Sequence, residues 1–199
     1  MLEADPEVVA GAKRMIRKQA LGLRGSMPAE ALLRRSAAIV ARLLALPAVE
    51  AARSVALFWP IVARAEVDLR SLDAALRARG TAVAYPSTLE RATRRMTFRL
   101  VADPACLVDR GNRFPEPPPD APEALALDVV VIPALAWDGR GHRLGYGAGY
   151  YDRALPRFCP PALKIGVGWD FELAVELPTT AEDVAADLVV TDVRTLAIA

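Results

Sequence analysis

The run Leu127-Asp-Val-Val-Val-Ile132 constrains the fold of this chain more than any other feature. Nearly every position in it is apolar, and such a strand belongs in the middle of a sheet with cover on both faces. A strand with one wet face would alternate instead. Further short apolar runs, Ser54-Val-Ala-Leu-Phe58, Thr81-Ala-Val-Ala-Tyr85 and Leu163-Lys-Ile-Gly-Val167, predict neighbouring strands. Leu188 to Thr191 and Thr195 to Ile198 complete the set. Helical patterns fall between them, which predicts an α/β fold: a mostly parallel sheet in a three-layer α/β/α arrangement. With 199 residues and no internal repeat, residues 1–199 are expected to form a single domain.

The helices are bounded by their end signals. Asp5-Pro6-Glu7 reads as an N-cap, a first-turn proline and a first-turn acid, opening a helix that runs to about Leu23. A second helix follows Ser26 and Pro28, with Leu32, Leu33, Ile39, Val40, Leu43 and Leu44 at helical spacing. Asp68 to Arg79 is predicted to be helical and to stop at Gly80. Pro86 is expected to end the strand before it. Met96 to Val101 alternates apolar and polar side chains, which predicts a half-exposed edge strand. Pro115 to Pro122 holds five of the sixteen prolines and is expected to cross the surface in an extended form.

Charge and cysteine usage exclude several function classes. With 25 basic and 24 acidic residues the net charge is +1, so no broad basic surface is available for nucleic acid or an anionic membrane. No apolar run approaches the roughly 18 residues of a membrane helix, and the acidic stretch from Met1 to Pro6 lacks the apolar core of a signal peptide. Cys106 and Cys159 stand apart and His142 is the single histidine, which argues against zinc ligation or a multi-imidazole site. The expected location is a reducing cytoplasm.

Chemistry concentrates in Arg143-Leu-Gly-Tyr-Gly-Ala-Gly-Tyr-Tyr-Asp-Arg153. It begins ten residues past Pro133, beyond the carboxyl end of the central strand, where open α/β sheets bind ligands. Gly145, Gly147 and Gly149 let backbone N–H groups approach an anion, and a predicted helix from about Gly149 to Leu155 adds its N-terminus. No Gly-Lys-Ser/Thr follows, and Tyr150 stands where a dinucleotide fingerprint needs glycine. Lys13 and Arg17, four residues apart, put two cations on one helix face, whereas Arg14 and Lys18 read as solvated. Glu66 follows the first strand by eight residues, where a carboxylate can hold the N–H groups of a planar heterocycle or, with Asp68 close by, serve as an acid at a helix N-terminus. Trp59, Trp137 and Trp169 each follow a strand end and together suggest an aromatic rim for a flat ring. Asp152 and Asp183 are candidate magnesium ligands.

In combination these residues resemble the 5-formyltetrahydrofolate cyclo-ligase family, also called 5,10-methenyltetrahydrofolate synthetases. The resemblance rests on Gly141 to Arg153 after Asp128-Val-Val-Val-Ile-Pro133, on Lys13 and Arg17, on Ala65-Glu-Val-Asp68, on Phe114-Pro-Glu-Pro117, and on Leu177-Pro178 with Asp183. It implies a Rossmann-like fold related to ribose-phosphate isomerases and CoA-transferases. It also implies ATP-dependent conversion of 5-formyltetrahydrofolate to 5,10-methenyltetrahydrofolate, through phosphorylation of the formyl oxygen and attack by N10, with ADP and phosphate released. Carried over by motif, Lys13, Arg17 and the loop Arg143, Leu144, Gly145, Tyr146, Gly147, Ala148, Gly149, Tyr150 and Tyr151 would bind ATP. Glu66, Trp59, Tyr146, Gly147, Ala148, Gly149 and Tyr150 would bind the folate. Glu66, Arg143 and Tyr151 would take part in the chemistry, and Asp152 and Asp183 would hold Mg²⁺. A monomer acting on a small molecule is expected.

The chain departs from the family pattern at Tyr146, where arginine is frequent, at Ala148, at Glu182 and at Glu172, where glutamine is usual. Arg143 or Arg153 are the candidates to supply the charge absent at Tyr146. The alternative reading is a folate-binding protein derived from this family that does not turn its ligand over. A sugar-phosphate isomerase or acyl-CoA enzyme is the third, by fold analogy, and the glycine loop lacks the second carboxylate it needs.

Overall fold

The computed structural model describes residues 6–111 and 114–198. Asp5, the expected N-cap, lies outside the described residues. The chain opens with α1 (Pro6–Gly25), α2 (Ala29–Leu44) and the short α3 (Pro47–Ala51). There follow β1 (Ser54–Ala56), α4 (Arg70–Ala78), β2 (Ala82–Glu90), β3 (Arg95–Leu100), β4 (Val108–Asp109) and β5 (Pro115–Glu116). Then come β6 (Val129–Pro133), β7 (Ala136–Asp138), β8 (Arg143–Leu144), α5 (Tyr150–Ala154), β9 (Leu163–Val167), β10 (Leu173–Ala174), β11 (Leu188–Val190) and β12 (Thr195–Ala197).

Among the described residues the main sheet has the order β12-β11-β9-β6-β1-β2-β3. The apolar run is β6, and it lies at the centre, parallel to β1 and to β9. Only the outermost strands, β3 and β12, run antiparallel to their neighbours. Alternation along β6 divides the core. Val129 and Val131 face Ile39 and Leu43 of α2 with Leu72 and Leu76 of α4, whereas Val130 and Ile132 face Ala154, Leu155 and Phe158. Each buried valine or leucine contributes about 1.5–3 kcal/mol of transfer free energy, so both faces hold the sheet. The second cover is the thinner one: α5 has five residues and passes into a 3₁₀ turn at Leu155–Arg157.

Two sequence expectations need correction. Pro86 does not end β2, which continues to Glu90. Val101 N–H donates to the Val83 carbonyl, so by alternation Pro86 would point its missing N–H away from β3. On that side β1 has ended at Ala56 and its last bond to β2 is from Leu57 N–H to the Ala84 carbonyl, so the missing N–H costs at most the final bond of a ladder that is already ending. The second is β3, expected to be half-exposed. Met96, Thr97 and Phe98 are buried. Phe98 packs against Phe158 and Tyr151, with ring centroids 5.3 and 6.3 Å apart. The free edge of β3 is covered by the end of the proline-rich segment: Leu100 N–H donates to the Pro122 carbonyl and Ala124 N–H to the Phe98 carbonyl. That cover also protects the edge from pairing with another chain.

Candidate active site

A cavity of about 470 Å³ opens beyond the carboxyl ends of β1 and β6, between Phe58 and Pro133, with Lys13 and Arg17 of α1 on its wall. Most candidates drawn from the sequence line it: Lys13, Arg17, Trp59, Glu66, the unbroken run from Arg143 to Asp152, and Asp183. Residues 170 positions apart meet here, since Lys13 Nζ lies 3.4 Å from Asp183 Oδ2.

The glycine loop is shaped by backbone conformations that other residues resist. Gly147 has φ +96° and Gly149 φ +69°. A Cβ at Gly147 would lie 3.4 Å from the Arg17 guanidinium, so the loop closes onto α1 where a side chain would intrude. Arg17 Nε–H donates to the Gly145 carbonyl at 2.9 Å, fixing that contact. Among the described residues the N–H groups from Gly145 to Gly149 have no acceptor. The helix behind them is short, so most of the anion-binding capacity lies in these N–H groups and the nearby cations, with little from a helix dipole.

Arg143 bridges the loop to the C-terminal segment, donating to the Asp152 carboxylate and to the Val184 carbonyl. Burial pulls its guanidinium below the ordinary value, opposed by Asp152. Asp152 Oδ1 also accepts from Val184 N–H, and Asp183 Oδ2 accepts from Thr180 N–H. Among the described residues each aspartate therefore keeps an oxygen without a hydrogen bond, Oδ2 of Asp152 and Oδ1 of Asp183. Among the described residues no group of three or more His, Cys, Asp or Glu side chains gathers around a metal position. Two carboxylates suit magnesium held chiefly by phosphate and water.

Glu66 is buried at the cavity wall. Its Oε2 accepts from Ile61 N–H at 2.8 Å and its Oε1 from the Tyr146 hydroxyl at 2.6 Å. Burial raises the Tyr146 phenol above its ordinary pKa, and the Glu66 charge adds to the rise. Tyr151 Oη is buried with no partner among the described residues. Burial and the Glu66 charge push that phenol up too, so it remains a protonated donor at neutral pH. Trp59 stands edge-on to Tyr85, with centroids 5.9 Å apart.

The other two tryptophans are not at the rim. Trp137 and Trp169 are wholly buried, their indole N–H groups donating to the Val167 and Ala65 carbonyls. Trp137 occupies the space that a side chain at Gly166 would take, since a Cβ there would lie 2.4 Å from its ring. Both are core, and Trp59 alone of the three lines the cavity. Arg153 turns to the Ala148 and Gly149 carbonyls and does not line the cavity. Arg14 and Lys18 are exposed, as expected.

Three residues at the site escaped the sequence reading. Arg24 is buried and donates to both Glu172 oxygens, one at 3.0 Å, and its Nη1 lies 3.5 Å from Tyr146 Oη. Burial works against the Arg24 charge, and the Glu172 carboxylate outweighs it. Its signal was a spacing of seven from Arg17, which keeps both on one helix face. In the sequence Glu172 stands out only as a departure from the family pattern. Arg64, in a 3₁₀ turn at Val62–Arg64, lies over the Tyr146 ring and had no sequence signal.

A sequence model described as the 5-formyltetrahydrofolate cyclo-ligase family matches residues 9–192. A 5-formyltetrahydrofolate cyclo-ligase of Mycolicibacterium smegmatis is 45% identical over 85 residues, 42% of this chain and 44% of that protein. The chain thus spans less than half the length of that relative. The Escherichia coli protein of the same name is 30% identical over 154 residues, covering 75% of this chain and 84% of its own. The NMR structure of Aquifex aeolicus 5,10-methenyltetrahydrofolate synthetase superposes with a TM-score of 0.81 at 30% identity, over 94% of this chain and 92% of that one. The extent of the family match, with the agreement in fold, means that the chain belongs to the 5-formyltetrahydrofolate cyclo-ligase family.

Proposed function

We propose that the protein is an enzyme that converts 5-formyltetrahydrofolate to 5,10-methenyltetrahydrofolate at the expense of ATP, releasing ADP and phosphate. The observation that carries this reading is the meeting of Lys13, Arg17, the glycine loop, Asp152, Asp183 and Glu66 around one cavity. Cations and unpaired N–H groups suit a polyphosphate, and the buried carboxylate suits a pterin. A family name alone would not require them to adjoin.

The formyl oxygen of a formamide leaves poorly. Transfer of the γ-phosphoryl group to it creates a leaving group, and N10 then attacks the formyl carbon as phosphate departs. Such a transfer asks for positioning and for charge on the equatorial oxygens. Lys13, Arg17 and the loop N–H groups would hold the phosphates. Glu66 would orient the pterin, with Trp59 and the rings of Tyr146 and Tyr150 beside it. The Tyr151 hydroxyl, which lacks a partner, would donate to the oxygen that carries the transferred group. Asp152 and Asp183 would hold Mg²⁺ through their free oxygens, and the ion would neutralise phosphate charge. Arg143, paired with Asp152, would orient that carboxylate.

The proposed enzyme is a monomer with a single domain over residues 1–199, its cavity lined by residues from Lys13 to Asp183. Among the described residues no helix is long and apolar enough to cross a membrane, and the proposed place of work is the cytoplasm. The test is the ATP-dependent appearance of the methenyl chromophore when purified protein meets 5-formyltetrahydrofolate. Folded protein that binds the folate by calorimetry but yields no chromophore with Mg-ATP would replace this reading with a non-catalytic folate binder.

A further inference from the structure

Four cationic side chains line the cavity, and their partners differ. Arg143 is paired with Asp152, and Lys13 faces Asp183. Arg17 and Arg64 have no carboxylate partner among the described residues. Arg17 is committed through Nε to the Gly145 carbonyl. Among the described residues the Arg64 side chain is held only by Tyr146, its guanidinium carbon 4.3 Å from the ring centroid and its N–H groups beside the phenol oxygen.

The backbone at Arg64 is anchored on both sides. Ile61 N–H is tied to the buried Glu66 carboxylate. Ala65 sits in the left-handed region at φ +46°, and its carbonyl accepts from the Trp169 indole. A non-glycine residue keeps that conformation only where its surroundings impose it. The root of Arg64 is therefore fixed, while its tip rests on a π face that an anion can outbid. That face belongs to Tyr146, between Gly145 and Gly147, whose N–H groups await an acceptor. Those groups and Arg64 line the same cavity, so an anion cradled there shares it with a guanidinium that has no carboxylate to leave.

We propose that Arg64 is a catalytic residue, its guanidinium leaving the Tyr146 ring to contact the γ-phosphoryl group during transfer; the inference rests on the cyclo-ligase reading above. The bond from phosphorus to the ADP oxygen breaks and the bond to the formyl oxygen forms. Arg64 neither gains nor loses a proton and serves by charge, as cations do in other phosphoryl transfers.

The test uses Arg64→Gln and Arg64→Lys in the full chain. Arg64→Gln is expected to lower kcat by about 10²- to 10³-fold. The KM values for ATP and for 5-formyltetrahydrofolate should stay within about threefold, and Arg64→Lys should recover part of the loss. Calorimetry supplies a readout independent of turnover. ADP with aluminium fluoride, in the presence of 5-formyltetrahydrofolate, should bind more weakly to Arg64→Gln by a similar factor, while ADP alone binds as before. An unchanged kcat, a rise in folate KM alone, or equal weakening of ADP and its fluoride complex would overturn the proposal. Wild-type protein that holds the fluoride complex but forms no product would end the cyclo-ligase reading, and the same binding ratio would still decide Arg64. Wild-type protein that neither holds that complex nor turns over would overturn both.

Discussion

Glu66 carries its charge into a buried position with two donors already in place, Ile61 N–H and the Tyr146 hydroxyl. A carboxylate has further lone pairs, so it can accept from a heterocycle without releasing either. Charge-assisted bonds of this kind are worth about 1.5–3 kcal/mol, which sets the scale for its removal. Glu66→Ala is expected to raise the KM for folate by roughly ten- to a hundredfold and to leave that for ATP nearly unchanged. Lys13→Ala should do the reverse, and varying each substrate in steady-state kinetics checks both; equal effects would mean the two subsites are misassigned. Tyr151 offers a different signature, because its buried hydroxyl lacks a partner. Tyr151→Phe removes an unsatisfied group, so the denaturation midpoint should hold or rise while kcat falls about ten- to a hundredfold. A fall in both would assign that hydroxyl a structural bond instead.

At the scale of elements, the link that sets the site is between α1 and the 3₁₀ turn at Asp170–Glu172. Arg24 and Glu172, 148 residues apart, form an ion pair whose side chains are all but excluded from water. Desolvating both charges is costly, and Ala134 O and Trp169 N–H satisfy donors and acceptors that the pair leaves unmet. Removing one partner strands the other. Glu172→Ala is expected to cost about 3–5 kcal/mol in urea unfolding, whereas Arg24→Met with Glu172→Leu should cost much less than the two single changes together. Additive losses would mean that the pair contributes no coupling. The sequence displayed half of this arrangement, the spacing of Arg17 and Arg24 along a helix, but nothing in it names a partner so distant. The glycine loop and the Lys13/Arg17 pair were legible because their meaning is local. Trp137 and Trp169 depart from expectation for the complementary reason: a strand end can point an indole at the rim or the core, and for Trp137 the choice depends on Gly166, in another strand.

At the scale of the molecule, the seven-stranded main sheet joins the two apolar clusters. The order of elements and the central place of β6 were legible from apolar runs, because burial on both faces leaves a pattern that needs no partner to read. Pro86 misled because its tolerance depends on where β1 stops. The two apolar clusters share strands: within β6, alternate residues serve opposite faces. Neither face can lose its cover without exposing the other side of the same strands, so the two should melt together. The buried indoles supply reporters, since Trp169 belongs to the cluster under α2 and α4 and Trp137 to the one under α5. Trp59→Phe with Trp169→Phe leaves Trp137 as the probe, and Trp59→Phe with Trp137→Phe leaves Trp169. In each variant the fluorescence midpoint in urea should coincide with the midpoint of helical circular dichroism. Both substitutions in the core will lower stability, but coincidence within a variant is unaffected by that shift. Should the Trp137 signal change at lower urea than the helical signal, the thin cover of α5 would be a separately melting unit, and the single-domain reading would fail.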